Sequence, residues 1–489
     1  MRVVVVGAGL GGLAAACHLT GRGHEVVVYE RAAEPGGVAG VFDDQGYRID
    51  AGPAVLTMRD VLDATFAAAG AAPEEHLSLT RLDPMYRACF ADGSELAVRA
   101  GIDPMTEAIE AFAGRREAAS FRRFAAWLGE LYDAEFGPFI ARSFDSPLDL
   151  AGRPDRLIRL VRLGGLRSLA GRVNDFFDDE RLQRVFSFQA LYAGMSPFAA
   201  RALFSVITYM DTIAGVYFPT GGMHELGRGL AAAAEKAGAT FMYSAPVERI
   251  RRAPDGTVDG VRLSSGEQVP ADAVVCNADV AATYRSLLGI PAPRVATRGR
   301  YSPSCALWLA GVRGPLPADV AHHNLHFGRA WHSAFDALLR DGTRMPDPSL
   351  LVTSASVTDP SLAPAGGSTL YALEPVPNLD GAVDWARDRS QIRDDLVARV
   401  GRLGYPVEDI VVDRFVDPGD WAAAGLERGT PFALAHRFFQ SGPFRPRNVD
   451  RRVPGLVLVG MGTVPGVGIP MVLTSGRLAA DRVDAWGAR

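Results

Sequence analysis

The sequence predicts an α/β chain in which a Rossmann-like, discontinuous nucleotide-binding domain is assembled from separated segments, accompanied by a mixed-sheet α+β substrate part and a helical insert. Three observations predict it. Residues 2–6 are a β-branched run, residues 7–12 are glycine-rich, residues 13–20 have helical composition and residues 25–29 form a second apolar run, which together make a βαβ opening. The pattern returns over 218–275, with a Gly221-Gly222 turn, an alanine-rich helix over 226–237 and strand-like pieces at 240–243, 258–263 and 273–276. A last apolar run at 456–459 feeds a glycine-rich, uncharged stretch. The opening domain is therefore expected to be completed by later chain. Residues 105–210 read as mainly helical, while 300–445 mixes strand-like runs at 304–311 and 350–356 with proline-rich loops. The expected division is nucleotide-binding segments at 1–85, 211–299 and 450–489, substrate-domain segments at 86–104 and 300–449, and the helical insert at 105–210.

Composition narrows the chemistry. With 489 residues, 48% of them apolar and 22% charged, the chain is long enough for two or three domains around a sizeable core. A net charge of −5 gives no general attraction to nucleic acid. Lys236 is the sole lysine among 51 basic residues and reads as a solvent-facing helix end, so a lysine Schiff base and pyridoxal chemistry are disfavoured. Cys17, Cys89, Cys276 and Cys305 lie far apart with no Cys-x-x-Cys pair, which signals neither a disulfide framework nor a zinc site and suggests a reducing compartment. No secretory signal is expected, since the structured motif starts at Arg2. Residues 453–476 carry no charge and are long enough to span a bilayer, but Pro454, Pro465 and Pro470 with several glycines favour a strand, a turn and a short helix.

Gly7-Ala8-Gly9-Leu10-Gly11-Gly12 lies between the first strand and helix, with Glu30 at the end of the second strand. The first glycine permits the tight turn, the second admits a pyrophosphate to the backbone and the third lets helix and strand pack closely. Glu30 is placed to accept hydrogen bonds from ribose hydroxyls and to repel a 2′-phosphate, which disfavours NADP. Two further glycine turns, Glu34-Pro35-Gly36-Gly37 and Asp50-Ala51-Gly52-Pro53, favour FAD over NAD, because a long FAD lying over the sheet needs backbone approach at several points. Gly460, Gly468, Ile469, Pro470 and Met471 put a helix N-terminus after a strand, where amides and the positive dipole end stabilise negative charge on a reduced flavin.

The opening motif, Asp50-Ala51-Gly52-Pro53, Phe186-Ser187-Phe188-Gln189-Ala190-Leu191, Gly215-Val216-Tyr217-Phe218-Pro219-Thr220-Gly221-Gly222-Met223, Asn277-Ala278-Asp279 and Pro465-Gly466-Val467-Gly468-Ile469-Pro470 occur in this order. Over essentially its whole length the chain resembles the bacterial phytoene desaturases, FAD-dependent members of the amine-oxidase-like superfamily. The resemblance implies that fold, noncovalent FAD and a lipophilic, membrane-associated polyene substrate, and it sets Val247 against the adenine end of FAD. The expected cofactor site is then Gly7, Gly9, Leu10, Gly11, Gly12, Glu30, Arg31, Gly36, Gly37, Gly52, Pro53, Ala54, Val247, Gly460, Gly468, Ile469, Pro470 and Met471. Two positions depart from the family. Val38 stands where many relatives have a basic residue, so a phosphate contact is either missing or supplied by Arg31, and Val464 replaces a frequent histidine.

The implied chemistry is hydride loss to flavin N5 and proton loss from the adjacent carbon of an allylic CH2-CH2 unit, for which alignment and water exclusion matter more than a nucleophile. Asp211 and Glu374, carboxylates in apolar settings, are the candidate proton acceptors, with structural hydrogen bonding as the plainer reading of each. Asp50 reads as a loop-fixing residue beside the flavin. His322, His323, His326 and His332 form the one metal-like cluster, but strand spacing sends His322 and His323 to opposite faces and no Cys or acid completes a ligand set, so no metal is expected. Between 152 and 172, Arg153, Arg156, Arg159, Arg162, Arg167 and Arg172 interleave with leucines, the pattern of a helix lying in a bilayer interface or of a solvated helix packing on its own core. A lipid-soluble substrate favours the first, with the protein cytoplasmic and peripheral to the inner face of the cell membrane. A carotene cis-trans isomerase or saturase, a desaturase of another polyene and a non-enzymatic prenyl-lipid carrier are the competing readings; the oligomeric state is not legible.

Overall fold

A computed structural model describes residues 1–487. The strand Arg2–Val6 pairs in parallel with Glu25–Tyr29 on one side and Ala273–Cys276 on the other; Thr240–Met242 and Leu456–Leu458 extend the sheet at its two edges. Val3, Val4, Val5, Val274 and Val275 are fully buried, as near-continuous aliphatic runs require when both faces of a parallel sheet are covered. On one face the helices Glu225–Lys236 and Ile469–Gly487 both pack against the helix Leu10–Gly21. The approach is so close that a Cβ on Gly476 would lie 2.5 Å from the Ala15 backbone nitrogen. The other face is covered by the antiparallel strands Val247–Arg252, Val258–Leu263 and Gln268–Pro270.

A seven-stranded sheet runs in the order Ile410–Val416, Ser304–Arg313, Gly367–Val376, Leu350–Thr353, His323–Phe327, Tyr86–Phe90, Glu95–Val98. Its pairings are antiparallel apart from that of His323–Phe327 with Tyr86–Phe90. One face packs on the helix Trp385–Arg402 through Trp308, Ala372, Leu396 and Val400, and the opposite face turns Leu307, Tyr371 and Leu373 inward. Between 102 and 208 the chain is helical, led by Arg115–Glu135, whose Phe121, Phe124 and Leu128 are fully buried.

Several boundaries differ from the sequence reading for physical reasons. The first helix starts at Leu10, not residue 13, because the last glycines of the motif form its opening turn. The strand Val247–Arg252 is hidden in the sequence by its mostly exposed Glu248, Arg249, Arg251 and Arg252. The last helix runs 19 residues and is not the short one expected, since Arg477, Asp481 and Arg482 sit on faces away from the core. Among the described residues no helix is long and apolar enough to cross a membrane.

Candidate functional site

The glycine motif is built around Asn277, which follows the strand Ala273–Cys276 and whose backbone amide donates to the Val6 carbonyl at 2.9 Å. A Cβ on Gly9 would come within 2.5 Å of Asn277 Nδ2, and one on Gly11 within 2.7 Å of Asn277 Oδ1 and 3.0 Å of the Gly460 nitrogen. Gly12 would place a Cβ 2.1 Å from the Gly7 carbonyl oxygen, so it serves helix–strand packing and alone among the expected cofactor residues does not line the cavity described below. Gly36 donates its amide to the Ala8 carbonyl at 2.8 Å, which lays the second glycine turn over the first. Glu30 is buried; its Oε2 accepts from the Ala8 amide at 2.6 Å and its Oε1 from the Ala32 amide at 2.8 Å. An ionised carboxylate has about four lone-pair directions, so two amides leave capacity for ribose hydroxyls. Arg31 donates to the Ala424 carbonyl at the rim of this end and Val247 lies beside Pro246 in its wall.

At the other end the strand Leu456–Leu458 runs into Gly460, whose amide donates to Ser475 Oγ at 2.9 Å, and the loop closes on the N-terminus of the helix Ile469–Gly487. Gly460, Gly466 and Gly468 hold φ of 94°, 141° and 110°, values that bring the loop backbone into the site and that side chains rarely adopt. Arg445, buried, donates to the carbonyls of Thr463 (3.0 Å), Met461 (2.7 Å) and Leu434 (3.1 Å), and burial lowers its guanidinium to about 10. These bonds fix the loop.

Both ends open into one cavity of about 1920 Å³, beyond the ~300–1,000 Å³ of an ordinary ligand pocket. Its walls run from Gly9 and Glu30 past Pro470 and Met471 to Leu191, Leu325, Trp331 and Leu373. Asp211 lies in this wall. Thr212 Oγ1 donates to its Oδ1 at 2.8 Å and Gln189 Nε2 to its Oδ2 at 3.3 Å, yet burial outweighs both and pushes the carboxyl up to about 7. Glu374 is elsewhere. Alternation along Gly367–Val376 turns Tyr371, Leu373 and Pro375 to the cavity and Glu374 to the opposite face, where Arg344 donates Nε and Nη2 to it at 3.1 and 3.2 Å. Its buried carboxylate is paired with the partly exposed Arg344, which also reaches Asp395, and its candidacy as proton acceptor is corrected accordingly. Asp50 accepts from the Met223 amide at 2.8 Å and fixes the Gly221-Gly222 turn. The rings of His322 and His323 are 4.4 Å apart rather than on opposite faces, because His322 precedes the strand. They are hydrogen-bonded to Thr358 and Thr353, and burial holds both neutral; His326 lines the cavity and is hydrogen-bonded to Tyr405.

Residues 10–484 match the flavin-containing amine oxidoreductase family. Phytoene dehydrogenase of Streptomyces griseus is 49% identical, covering 98% of this chain and 94% of that one; the zeta-carotene-forming phytoene desaturase of Myxococcus xanthus is 38% identical, covering 99% and 94%. The chain belongs to the bacterial phytoene desaturase family. Cyclohexylamine oxidase from Brevibacterium oxydans, at 18% identity and a TM-score of 0.61 over 100% of this chain and 99% of its own, shares the fold. This phytoene desaturase family member is thus a flavoprotein oxidoreductase with FAD as its cofactor, and the glycine cradle, the Glu30 carboxylate and the Gly460–Gly468 loop fit that molecule.

Three cavity or loop residues escaped the sequence reading. Glu135 lines the cavity with Oε2 free of any hydrogen bond, and burial raises its carboxyl well above the usual range. Its signal, a carboxylate in Ala134-Glu135-Phe136, is of the kind that picks out Asp211. Asn277 is visible in the Asn277-Ala278-Asp279 segment without a role. Arg445 is indistinguishable among so many arginines.

Proposed function

We propose that this chain desaturates phytoene or a related carotenoid precursor. The observation that carries the reading is the single apolar cavity joining the nucleotide end to a region large enough for an extended hydrocarbon. When bound, FAD supplies the acceptor for the hydride. Leu325, Trp331, Leu351 and Leu373 hold the polyene chain in one line and keep water out. Asp211, ionised, takes the proton from the carbon adjacent to the one that loses hydride; the two C–H bonds broken leave one new C=C bond. Gln189 and Thr212 keep that carboxylate aimed. Glu135, held neutral, cannot act as the base in its protonated form.

The helix Pro154–Arg162 supports attachment to the inner face of the cell membrane. Only its Leu160 is buried, and Ile158 and Val161 are about half exposed, so its apolar face is not spent on the protein's own core. Incubating the purified holoprotein with phytoene dispersed in phospholipid vesicles, then extracting and weighing the product, tests the assignment. Loss of two hydrogens per step is expected. Unchanged mass with altered double-bond geometry would instead establish the isomerase reading, and added hydrogens the saturase.

A further inference from the structure

The large exposed apolar side chains beside the cavity mouth form two lips. One is Leu148 (80% exposed) with Ile158 and Val161 of the helix Pro154–Arg162; the other is Phe438 and Phe439, 55% and 72% exposed. They are brought together because the turn Gly442–Phe444 packs against Pro147–Gly152. The ring of Phe444 lies 5.4 Å from Phe439 and 6.2 Å from Phe438, and the last two are 5.1 Å apart and nearly perpendicular. Val161 with its helix neighbour Leu157 on one side, and Phe438 with the adjoining Phe444 on the other, reach into the cavity wall, so the mouth opens between the two lips.

Two exposed phenylalanines are costly in water. Their surroundings indicate what covers them. Arg437 directly precedes them and is exposed; among the described residues neither it nor Arg153, Arg159 or Arg162 has a carboxylate partner. An aromatic tip flanked by unpaired guanidiniums matches an anionic phospholipid surface, where rings settle at the headgroup level and arginines meet phosphates. A purely apolar protein groove would leave those charges desolvated and unmatched.

We propose that Phe438 and Phe439 are a second membrane anchor, acting with the helix Pro154–Arg162 to seat the cavity mouth on an anionic bilayer, so that the polyene passes between acyl chains and cavity without entering water. The inference rests on the membrane attachment proposed above. The test uses full-length holoprotein and vesicles of phosphatidylcholine mixed with phosphatidylglycerol. Phe438→Ser with Phe439→Ser should lower the vesicle partition coefficient on the order of tenfold, keep the FAD content and leave the salt dependence of binding unaltered. In a separate Phe439→Trp variant, the emission of the introduced indole should shift to the blue when vesicles are added. Failure of the unaltered protein to bind vesicles would remove the attachment itself. Unaltered binding by the double variant, or an indole emission that does not move in the Phe439→Trp variant, would overturn this anchor while leaving the helix in place. A lipid-free dimer abolished by the double variant would assign the lip to self-association and equally overturn it.

Discussion

Asp211 combines a cavity position with a carboxyl raised to about 7, and both properties yield predictions. Asp211→Asn should lower kcat by about 10²–10⁴ with little change in FAD content, as expected for loss of a positioned base. The ionised form is the active one, so the rate of the unaltered enzyme should climb as pH rises through about 7 and level off above it; the Asn variant should lack that limb, and a variant retaining it would clear Asp211 of the role. The same group has a stability signature of opposite slope. Its folded pKa exceeds the unfolded one, so the folded state binds the proton more tightly and this contribution is lost as pH climbs from the ordinary carboxylate range through about 7. At this scale the sequence was half legible. An acid among apolar neighbours singled out Asp211 and Glu374 alike; the two-residue alternation of the strand Gly367–Val376, whose facing was unknown, turns Glu374 to Arg344, while Asp211 reaches the cavity wall from the helical turn Tyr209–Ile213.

Elements were most legible where periodicity is strong. The aliphatic runs at Arg2–Val6, Glu25–Tyr29 and Ala273–Cys276 announce buried parallel strands, whereas Val247–Arg252, with four charged residues out of its full six, carries no such signal because its pairing and not its burial makes it a strand. Helix packing here depends on missing side chains. Gly476→Ala drives a Cβ into the Ala15 backbone, so we expect a loss of about 1–3 kcal/mol, read as a lower Tm with weaker FAD retention; an unchanged Tm would mean that the helix pair has slack. The helix Pro154–Arg162 makes an electrostatic prediction. Arg156→Glu, Arg159→Glu and Arg162→Glu together should weaken co-sedimentation with anionic liposomes, more strongly at low salt, while FAD content stays intact. Equal sedimentation would refute the contact.

For the whole molecule, one cavity has two poles of unlike polarity, with glycine backbone and Glu30 at one and leucine and aromatic side chains at the other. Because the cradle that fits FAD bridges segments hundreds of residues apart and exists only in the folded chain, Tm should rise with added FAD, by the equivalent of about 4 kcal/mol at a thousandfold excess over its Kd. A Tm independent of FAD would contradict the cradle. That bridging has a consequence for the order in which the protein is made. The strand Leu456–Leu458 and the helix Ile469–Gly487 complete a sheet begun at Arg2, so on the ribosome the edge of Ala273–Cys276 and part of the apolar face of Leu10–Gly21 stay bare until residues 277–455 have also emerged. Synthesis therefore passes through a long interval in which the nucleotide cradle lacks Gly460 and that edge is open to aggregation, until Leu456–Leu458 closes the sheet.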